Sequence, residues 1–310
     1  KASQGDAFYN AKNPPFGAVF NYYLNDGLNT IKQKRQEKEK KVIKAGEDVP
    51  FPGWDTLDAE TNEAAPKVWL TVKNAEGNVV RRVVGTTDKG FNQVAWDLRY
   101  PAFGVLGQGG GFFGNGNRGM MVAPGKYTVS LSQEVNGEVT ALGATQEFNV
   151  TRLREGALPG AELKEVVAFW QHLTQVQDQA AITGKKLSEA IKRTDKLQEV
   201  LARSLTEHGE LDQELLAITK DLQAINKQLN GSHAKQQIGE KTHVTVGSRL
   251  SAAAIGTSLS TYGPTPTHQK SLAIAKRELA KIANKLNPII ETKLPEFESK
   301  VRAQGAPWLY

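Results

Sequence analysis

The hydrophobic pattern of this 310-residue chain changes its period once, between about residues 152 and 158. Before that point apolar and polar residues alternate, which is typical of strands with one buried face. After it, apolar residues recur every three or four positions, which is typical of amphipathic helices. Because neither pattern can serve the other kind of element, we predict a multidomain α+β protein. An antiparallel β domain is expected over residues 1–152 and a helical domain over residues 153–310.

The first part consists of short alternating stretches separated by turn residues. After Pro66, the sequence KVWLTV places its valines and leucine on one face, and Asn136-Gly137 is the pair that a two-residue type I′ hairpin prefers. Such a series predicts an Ig- or FnIII-like antiparallel β-sandwich. The stretch GAVFNYYL, near the start of the chain, is expected to be an outer strand. A later strand, VAWDLRY, has four apolar residues on one face: Val94, Trp96, Leu98 and Tyr100.

A charged helical insertion, at about residues 28–65, separates the outer strand from the rest of that domain. Its first part, NTIKQKRQEKEKKVIKAG, holds seven basic and two acidic residues, so most of the formal charge of +6 lies here. We expect a solvated helix that packs through Ile31, Val42 and Ile43. Nucleic-acid binding is disfavoured because no aromatic residues interleave with the charges to stack on bases. Three basic residues are candidate contacts for a protein partner: Lys34, Arg35 and Lys38.

A Gly-rich loop, at about residues 104–119, contains glycines in the GxGxxG spacing of dinucleotide-binding turns. That motif works only where the glycines join a strand to a helix. Here the segment runs into another alternating stretch, so no cofactor site is predicted. Two adjacent aromatic residues in such a loop indicate a contact surface. The candidate interaction residues are Phe112, Phe113 and Arg118.

An uninterrupted apolar stripe marks the helical part. Its residues are spaced alternately by four and three positions: Leu211, Leu215, Ile218, Leu222, Ile225 and Leu229. Further stripes begin at Leu163, Leu187 and Leu272, and together they predict an antiparallel helical bundle. The last stripe slips in register at Asn287-Pro288. Because proline removes a helical hydrogen bond, we expect a bend or break there.

No constellation of residues specifies a reaction. Cysteine is absent, which excludes disulfides and thiol nucleophiles. The five histidines never occur in metal-binding spacings such as HxxxH. The SHAK stretch, residues 232–235, fits the SxxK pattern of serine acyl enzymes but lacks the companion motifs. No facing pair of carboxylates, as a glycosidase requires, can be nominated. We therefore predict no catalytic, metal-binding or cofactor-binding residue.

The composition, 39% hydrophobic and 23% charged, includes no apolar run of the roughly 18 residues that a membrane helix needs. A membrane-spanning segment is therefore not expected. The chain does not begin with methionine or with a signal-type segment. We expect it to be a piece of a longer chain, or a processed one.

The chain contains, in this order, FYNAKNPPFGAVFNYYL, VPFPGWDTLDAE, GFNQVAWDLRYP, VAPGKYTVSL, IGTSLSTYGPTPTHQK and a closing GAPW. This series resembles the C-terminal region of large exported bacterial proteins with sortilin-type, BNR-repeat β-propellers, which are often labelled glycosyl hydrolases. The part from NQVAWDLRY to APGKYTV is also similar to the Ig-like domain of the flagellar hook-cap scaffold.

The resemblance implies an exported protein, periplasmic, outer-membrane-associated or extracellular, with propellers upstream of residue 1 that hold any sugar or peptide pocket. The Asp-box repeats of such propellers, SxDxGxxW, are missing from this sequence, so no catalytic residue carries over. The expected function is a non-catalytic structural and protein-interaction module that braces those propellers or docks to an envelope or extracellular assembly. Two alternatives are an accessory part of a glycan-cleaving propeller enzyme and a sortilin-like peptide or protein receptor.

Overall fold

The computed structural model describes residues 13–101, 119–154, 159–204, 209–258 and 262–305. It has a mixed α/β structure with two antiparallel sheets and a set of helices. The described residues divide into two units, the first comprising residues 13–101 and 119–153 and the second beginning at Arg154. The predicted Gly-rich loop lies almost wholly outside the described residues.

The first unit contains all the strands of the described chain and two helices. In chain order its elements are β1 (Ala18–Leu24), α1 (Ile31–Lys44), α2 (Trp54–Asn62), β2 (Lys67–Asn74), β3 (Val79–Gly85), β4 (Gly90–Trp96), β5 (Gly125–Val135), β6 (Glu138–Ala141) and β7 (Gln146–Val150).

These strands form two separate sheets. β1 pairs with β4 in a two-stranded antiparallel sheet, with Ala18 opposite Trp96. The other sheet has the order β3–β2–β5, and β6 and β7 both pair with the remaining side of β5. The hairpin between β5 and β6 turns at Asn136 and Gly137, whose φ angles of 52° and 81° are both positive, as a type I′ turn requires. The predicted turn is therefore confirmed, but it leads into β6, and the expected strand with Phe148 and Val150 is the separate β7.

One hydrophobic core lies between the two sheets. Because side chains alternate along a strand, β2 turns three of them to the same side, where they are buried: Val68, Leu70 and Val72. Trp96, at the end of β4, is 1% exposed. Its ring packs edge-on against Tyr127 and Phe148, at centroid distances of 5.9 and 6.2 Å. Residues from both sheets thus contribute to a single apolar interior.

The strand predicted over VAWDLRY is shorter than its alternation suggests. β4 ends at Trp96, and Leu98 adopts a left-handed backbone with φ 57°. The indole Nε1 of Trp96 donates to the carbonyl oxygen of Arg99 at 3.0 Å. A buried tryptophan needs such an acceptor, and this bond closes a turn around Leu98. The chain then pairs again where Arg99 bridges Met121.

The described part of the second unit is helical. Its elements are α3 (Leu163–Ala202), α4 (Glu210–Asn230), α5 (His233–Gln237), α6 (Val246–Ser258), α7 (Pro266–Pro288), a π-helical segment (Ile289–Lys293) and α8 (Leu294–Ala303). The stripes that begin at Leu163 and Leu187 lie on one helix of 40 residues, α3. No proline interrupts this helix, and the single Gly184 inside it costs only about 1 kcal/mol relative to alanine.

A π-helical turn joins α7 to α8. It is bracketed by Pro288 and Pro295, each of which lacks the N–H that a regular helix would use. The backbone N–H of Leu294 bonds to the carbonyl of Ile289, five residues earlier. Buried residues are spaced by three or four along α7 and α8, but Ile289 and Leu294 are five apart, and both are buried. The π turn accommodates the extra residue and keeps the stripe on the core side. The regular α-helix ends at Pro288, as predicted, but the chain continues as a π-helix rather than breaking.

The extra residue of the π turn is also seen in the hydrogen bonds that lysines of α7, the π turn and α8 make to α4. The acceptors on α4 are seven residues apart: Glu214, Asp221 and Gln228. The lysines that reach them are seven and eight residues apart, at N···O distances of 2.8, 2.9 and 3.2 Å: Lys300, Lys293 and Lys285. The opposite order of the two series shows that α4 runs antiparallel to α7 and α8.

One charged pair lies inside the second unit. Glu298 on α8 is 5% exposed. Arg193 on α3 binds its carboxylate through both Nε and Nη2, with 2.6 Å between Nη2 and Oε2. A two-pronged pair of this kind fixes the relative position of the two helices.

Deleting the extra residue of the π turn should be tolerated. In a Pro288→Ala, Pro295→Ala background, deletion of Glu291 should change the free energy of unfolding in urea by less than about 1.5 kcal/mol. The buried stripe would then continue in steps of three and four. Deletion of Lys281, within α7, is the matched control. It rotates every later residue by about 100° and should cost more than about 4 kcal/mol. Equal losses from the two deletions would contradict this account of the π turn.

Tyr127 should make the first unit sensitive to alkali. Its hydroxyl donates to the carbonyl of Ala123 at 2.6 Å, and burial raises its pKa to about 12. The folded state holds this proton more tightly than the unfolded chain, where the pKa is about 10. The resulting stabilisation is complete below pH 10 and is lost as the pH rises towards 12.

Replacement of this hydroxyl tests the point directly. Tyr127→Phe should cost about 1 kcal/mol at pH 7 and reduce the loss of stability between pH 10 and 12, measured by urea unfolding. The matched control is Tyr23→Phe, because Tyr23 is exposed and its hydroxyl has no partner in the described residues. The two variants behaving alike would show that Tyr127 has no special role.

Candidate protein-interaction site

The helical arm is the part of the first unit formed by α1, α2 and the segment between them, residues 30–63. Thr30 begins it as the N-cap of α1. Its Oγ1 accepts the N–H of Gln33 at 3.1 Å, and its own N–H donates to Oε1 of Gln33 at 2.8 Å. This capping box satisfies backbone donors that the helix leaves free. After α1, Gly46 turns the chain with φ 77°, and the sequence VPFPG keeps it non-helical as far as α2.

A single guanidinium joins the two helices of the arm. Arg35 on α1 binds both carboxylate oxygens of Glu60 on α2, at 2.5 and 2.9 Å, and Oε1 of Glu39 at 2.5 Å. Beside this pair, the backbone N–H of Ile31 donates to Oε2 of Glu63 at 2.7 Å. Both contacts link the beginning of α1 to the end of α2. They bring together residues that are 25 and 32 positions apart.

The contact also sets the ionisation of the pair. The hydrogen bonds from Arg35 lower the pKa of Glu60 below its ordinary value, more than partial burial raises it. The two glutamates, chiefly Glu60, raise the pKa of Arg35 above its ordinary value. Both groups are therefore charged at neutral pH, and the contact is a charge-assisted one.

Neither helix of the arm has a buried residue. The predicted packing of α1 through Ile31, Val42 and Ile43 is wrong, since Val42 is only half-buried and Ile43 is 62% exposed. Short helices are marginal in water unless an apolar face is buried. The exposed apolar side chains of the arm are Ile31, Ile43, Val49, Phe51 and Trp54. The arm therefore lacks a hydrophobic core of its own.

Two of these side chains form an aromatic pair on the surface. Phe51 and Trp54 are 62% and 74% exposed, with ring centroids 5.1 Å apart and ring planes at 67°. The rings pack edge to face against each other, which fixes their positions. Exposed tryptophan and phenylalanine are enriched where proteins bind one another. The pair is therefore a candidate contact surface.

The charges of the arm are divided between its two parts. α1 carries seven basic and two acidic residues, whereas residues 45–65 carry six acidic residues and no basic one. Folding of the arm places Arg35 against Glu60, so part of the basic charge is balanced internally. The basic character of α1 alone therefore does not require an anionic partner.

Of the six predicted interaction residues, three lie in the described part of the chain, and their surroundings differ. Lys34 and Lys38 on α1 are exposed, and neither forms an ion pair within the described residues. Arg35 is already engaged inside the arm. Phe112, Phe113 and Arg118 lie outside the described residues, so their proposed role stays a prediction.

Two residues with possible chemical roles, a serine of the SHAK stretch and one histidine, take part in helix caps. Ser232 caps α5, and its Oγ accepts the N–H of Lys235 at 3.5 Å. His268 caps α7, with its Nδ1 3.3 Å from the N–H of Thr265. No group of three or more histidine, aspartate or glutamate residues in the described ranges could hold a metal ion. Asp97, which directly follows β4, forms no ion pair in the same ranges.

No helix in the described part of the chain is long and apolar enough to cross a bilayer. Comparison with protein-family models, curated proteins and solved structures finds no significant match. The family suggested by the order of segments along the sequence therefore stays a prediction.

Loss of the Glu60 carboxylate should loosen the arm. Glu60→Gln should speed amide hydrogen exchange in α1 and α2 several-fold at pH 7, because the strongest contact between these helices would be weakened. Asp58→Asn is the matched control: it removes the same charge from α2 at an exposed residue without an ion pair in the described ranges.

The same contact predicts a pH dependence. Because the folded-state pKa of Glu60 is lowered, its stabilisation is present above the unfolded value of about 4.3 and is lost as the pH falls below it. Carboxyl carbon NMR should show the pKa of Glu60 below the ordinary value of a glutamate carboxyl. An ordinary titration of Glu60 would be inconsistent with the bidentate contact.

Proposed function

We propose that this chain is a non-catalytic structural and protein-interaction module that binds its partner through the helical arm. The observation that carries the proposal is a pair of helices with no buried apolar residue and an exposed aromatic pair, Phe51 and Trp54. Exposed apolar groups of this kind are typical of interaction surfaces. The partner would bury the aromatic pair and supply the hydrophobic contact that the arm lacks.

Further support comes from the bonds that the buried polar side chains form. Within the described ranges, the buried polar side-chain atoms bond to other residues of the fold, apart from Oε1 of Gln177, which is buried without a hydrogen-bond partner. Glu298 pairs with Arg193, and Asn92 binds the carbonyls of Asp88 and Gly90 at 2.8 and 3.0 Å. Groups committed to such contacts are unavailable to a substrate. A binding role accounts for the exposed groups without requiring a reaction.

We also propose a fold type for each of the two units. We assign the first unit to an Ig-like β-sandwich, because two antiparallel sheets enclose a buried Trp96 and the Tyr127 hydroxyl binds the backbone four residues upstream. A tyrosine that returns to the backbone in this way is typical of Ig-like domains. We assign the second unit to an antiparallel helical bundle, on the evidence of its single core and the antiparallel contacts between α4 and α8.

We also place the module in a larger exported polypeptide, where its partner is an upstream β-propeller or an envelope or extracellular protein. The support is the order of segments along the sequence, from NPPFGAVFNYYL to the closing GAPW. The arm is suited to such a partner because its surface combines lysines, acidic residues and aromatic rings. Interfaces of moderate size commonly mix charged rims with an aromatic centre.

Site-specific photo-cross-linking in the producing cells tests the proposal. A photoreactive phenylalanine analogue at position 51 should form a discrete adduct with another polypeptide or domain. Trp54→Ser should reduce that adduct at least about tenfold, because aromatic anchors dominate interface energies. The same analogue at Ile238, which is 76% exposed in the second unit, is the matched control.

Two outcomes would overturn the proposal. One is an adduct at position 51 no stronger than that at position 238. The other is turnover of a polysaccharide by the purified chain, which would favour the glycan-cleaving alternative.

A further inference from the structure

The outer edge of β1 has no partner strand in the part of the chain that the structure describes. Its seven residues pair with β4 on one side in an unbroken register, from Ala18 opposite Trp96 to Leu24 opposite Gly90. On the other side no strand lies beside it in the described residues, and none of its backbone groups has a hydrogen bond there. Two strands alone are marginal as a sheet in water. The edge therefore offers a row of free donors and acceptors.

This edge lacks the features by which strands usually avoid pairing. The sequence AVFNYYL contains no charge and no proline, and its pairing with β4 has no bulge. The edge strands of the other sheet carry such protection. β3 contains Arg81 and Arg82 beside a register shift in its partner strand, β6 has only four residues, and β7 contains Glu147.

The core beside this edge is also incomplete. Phe20 points inward from β1 and packs edge-on against Phe148 at 5.4 Å, yet both remain partly exposed. An additional strand along β1 would place a side chain beside Phe20 and remove it from water. Such burial favours strand addition.

We infer that β1 pairs antiparallel with β1 of a second copy of this chain, about a two-fold axis at Asn21. In this register the small Ala18 lies opposite the large Leu24, Phe20 opposite Tyr22, and Val19 opposite Tyr23. Every pair joins residues on the same face of the combined sheet. A two-fold contact requires such self-complementarity, and the absence of charge along β1 means that no like charges meet.

The uncharged strand β4 fits a second copy less well. A two-fold axis at its central residue, Gln93, would place Asn92 opposite Val94. Asn92 is 6% exposed and is held by hydrogen bonds to Asp88 and Gly90. Pairing through β1 joins two two-stranded sheets into one sheet of four strands, in the order β4–β1–β1–β4.

The size of the contact indicates a weak dimer. A strand of seven residues is about 24 Å long and a sheet is about 10 Å thick, which gives about 500 Å² over both partners. Stable complexes bury about 1,200–2,000 Å². The dimer should therefore appear at tens to hundreds of micromolar and dissociate on dilution.

Sedimentation velocity of the full chain, between about 5 and 300 µM, should show a reversible monomer–dimer equilibrium. Asn21→Lys places two lysines directly opposite each other at the axis, with their Cβ atoms about 5 Å apart, and the repulsion of their like charges should weaken dimerisation at least tenfold. Gln93→Lys is the matched control. It replaces the other member of the hydrogen bond between Asn21 and Gln93, at 3.0 Å, and adds the same charge to the same face, but one strand away from the axis. It should change dimerisation less than about threefold.

Disulfide trapping tests the register, and the absence of cysteine makes it unambiguous. Directly opposed antiparallel residues have Cα atoms about 4.5–5.5 Å apart, within the range of a disulfide. Asn21→Cys should therefore form a covalent dimer under mild oxidation. A mixture of Val19→Cys and Tyr23→Cys should form the mixed dimer faster than either variant dimerises alone, and Gln93→Cys should stay monomeric.

The inference fails if the chain is monomeric throughout this concentration range, or if Asn21→Lys leaves a dimer unchanged. It also fails if Val19→Cys pairs with itself faster than with Tyr23→Cys. A monomer that binds an extended peptide along β1 would assign the edge to another protein and would equally overturn pairing between copies.

Discussion

α7 packs against α3, α4 and α6, so its apolar face is the surface on which the second unit is assembled. The face must stay turned inward along two further segments, the π turn and α8, to reach Phe297 and Val301, which are both buried. A regular helix would rotate the last residues of the stripe out of the core, because each inserted residue turns the helix by about 100°. The π turn absorbs that rotation. The lysines on the outer side keep their partners on α4 for the same reason, since they follow the same backbone.

The helical arm is stabilised by polar contacts rather than by a hydrophobic core. Where the rest of the described chain is held together by buried apolar area, the arm is held by a guanidinium, two carboxylates and a capping box. Contacts of this type between partly exposed groups contribute modestly to stability and weaken in salt. Local opening of the arm therefore requires less free energy than opening of either core. This difference favours the arm as a surface that adjusts to a partner, while Phe51 and Trp54 remain paired as its fixed point.

Much of the secondary structure could be predicted from the sequence, because burial of one face of a strand or helix imposes a period on its apolar residues. Turn chemistry at Asn136-Gly137 and the register slip at Pro288 were equally readable, because each depends on a backbone property of one or two residues. Other features depend on contacts that sequence spacing does not encode. The end of β4 is set by a bond from Trp96 to a carbonyl. Arg35 was assigned to a partner because its own acceptor, Glu60, lies 25 residues away. The sequence PFPGW contains both aromatic residues, but it does not indicate that their side chains are exposed.

The order of elements along the first unit has a consequence for how the chain can be divided. β1 precedes the arm, and its only partner strand in the described chain, β4, follows it. A protease that cut the lysine-rich α1 would separate β1 covalently from every other strand, while the seven-residue pairing and the contact of Phe20 with Phe148 would still hold the pieces together. The arm is thus a natural place to split this protein into two complementary fragments, or to exchange one linker for another without rebuilding the core.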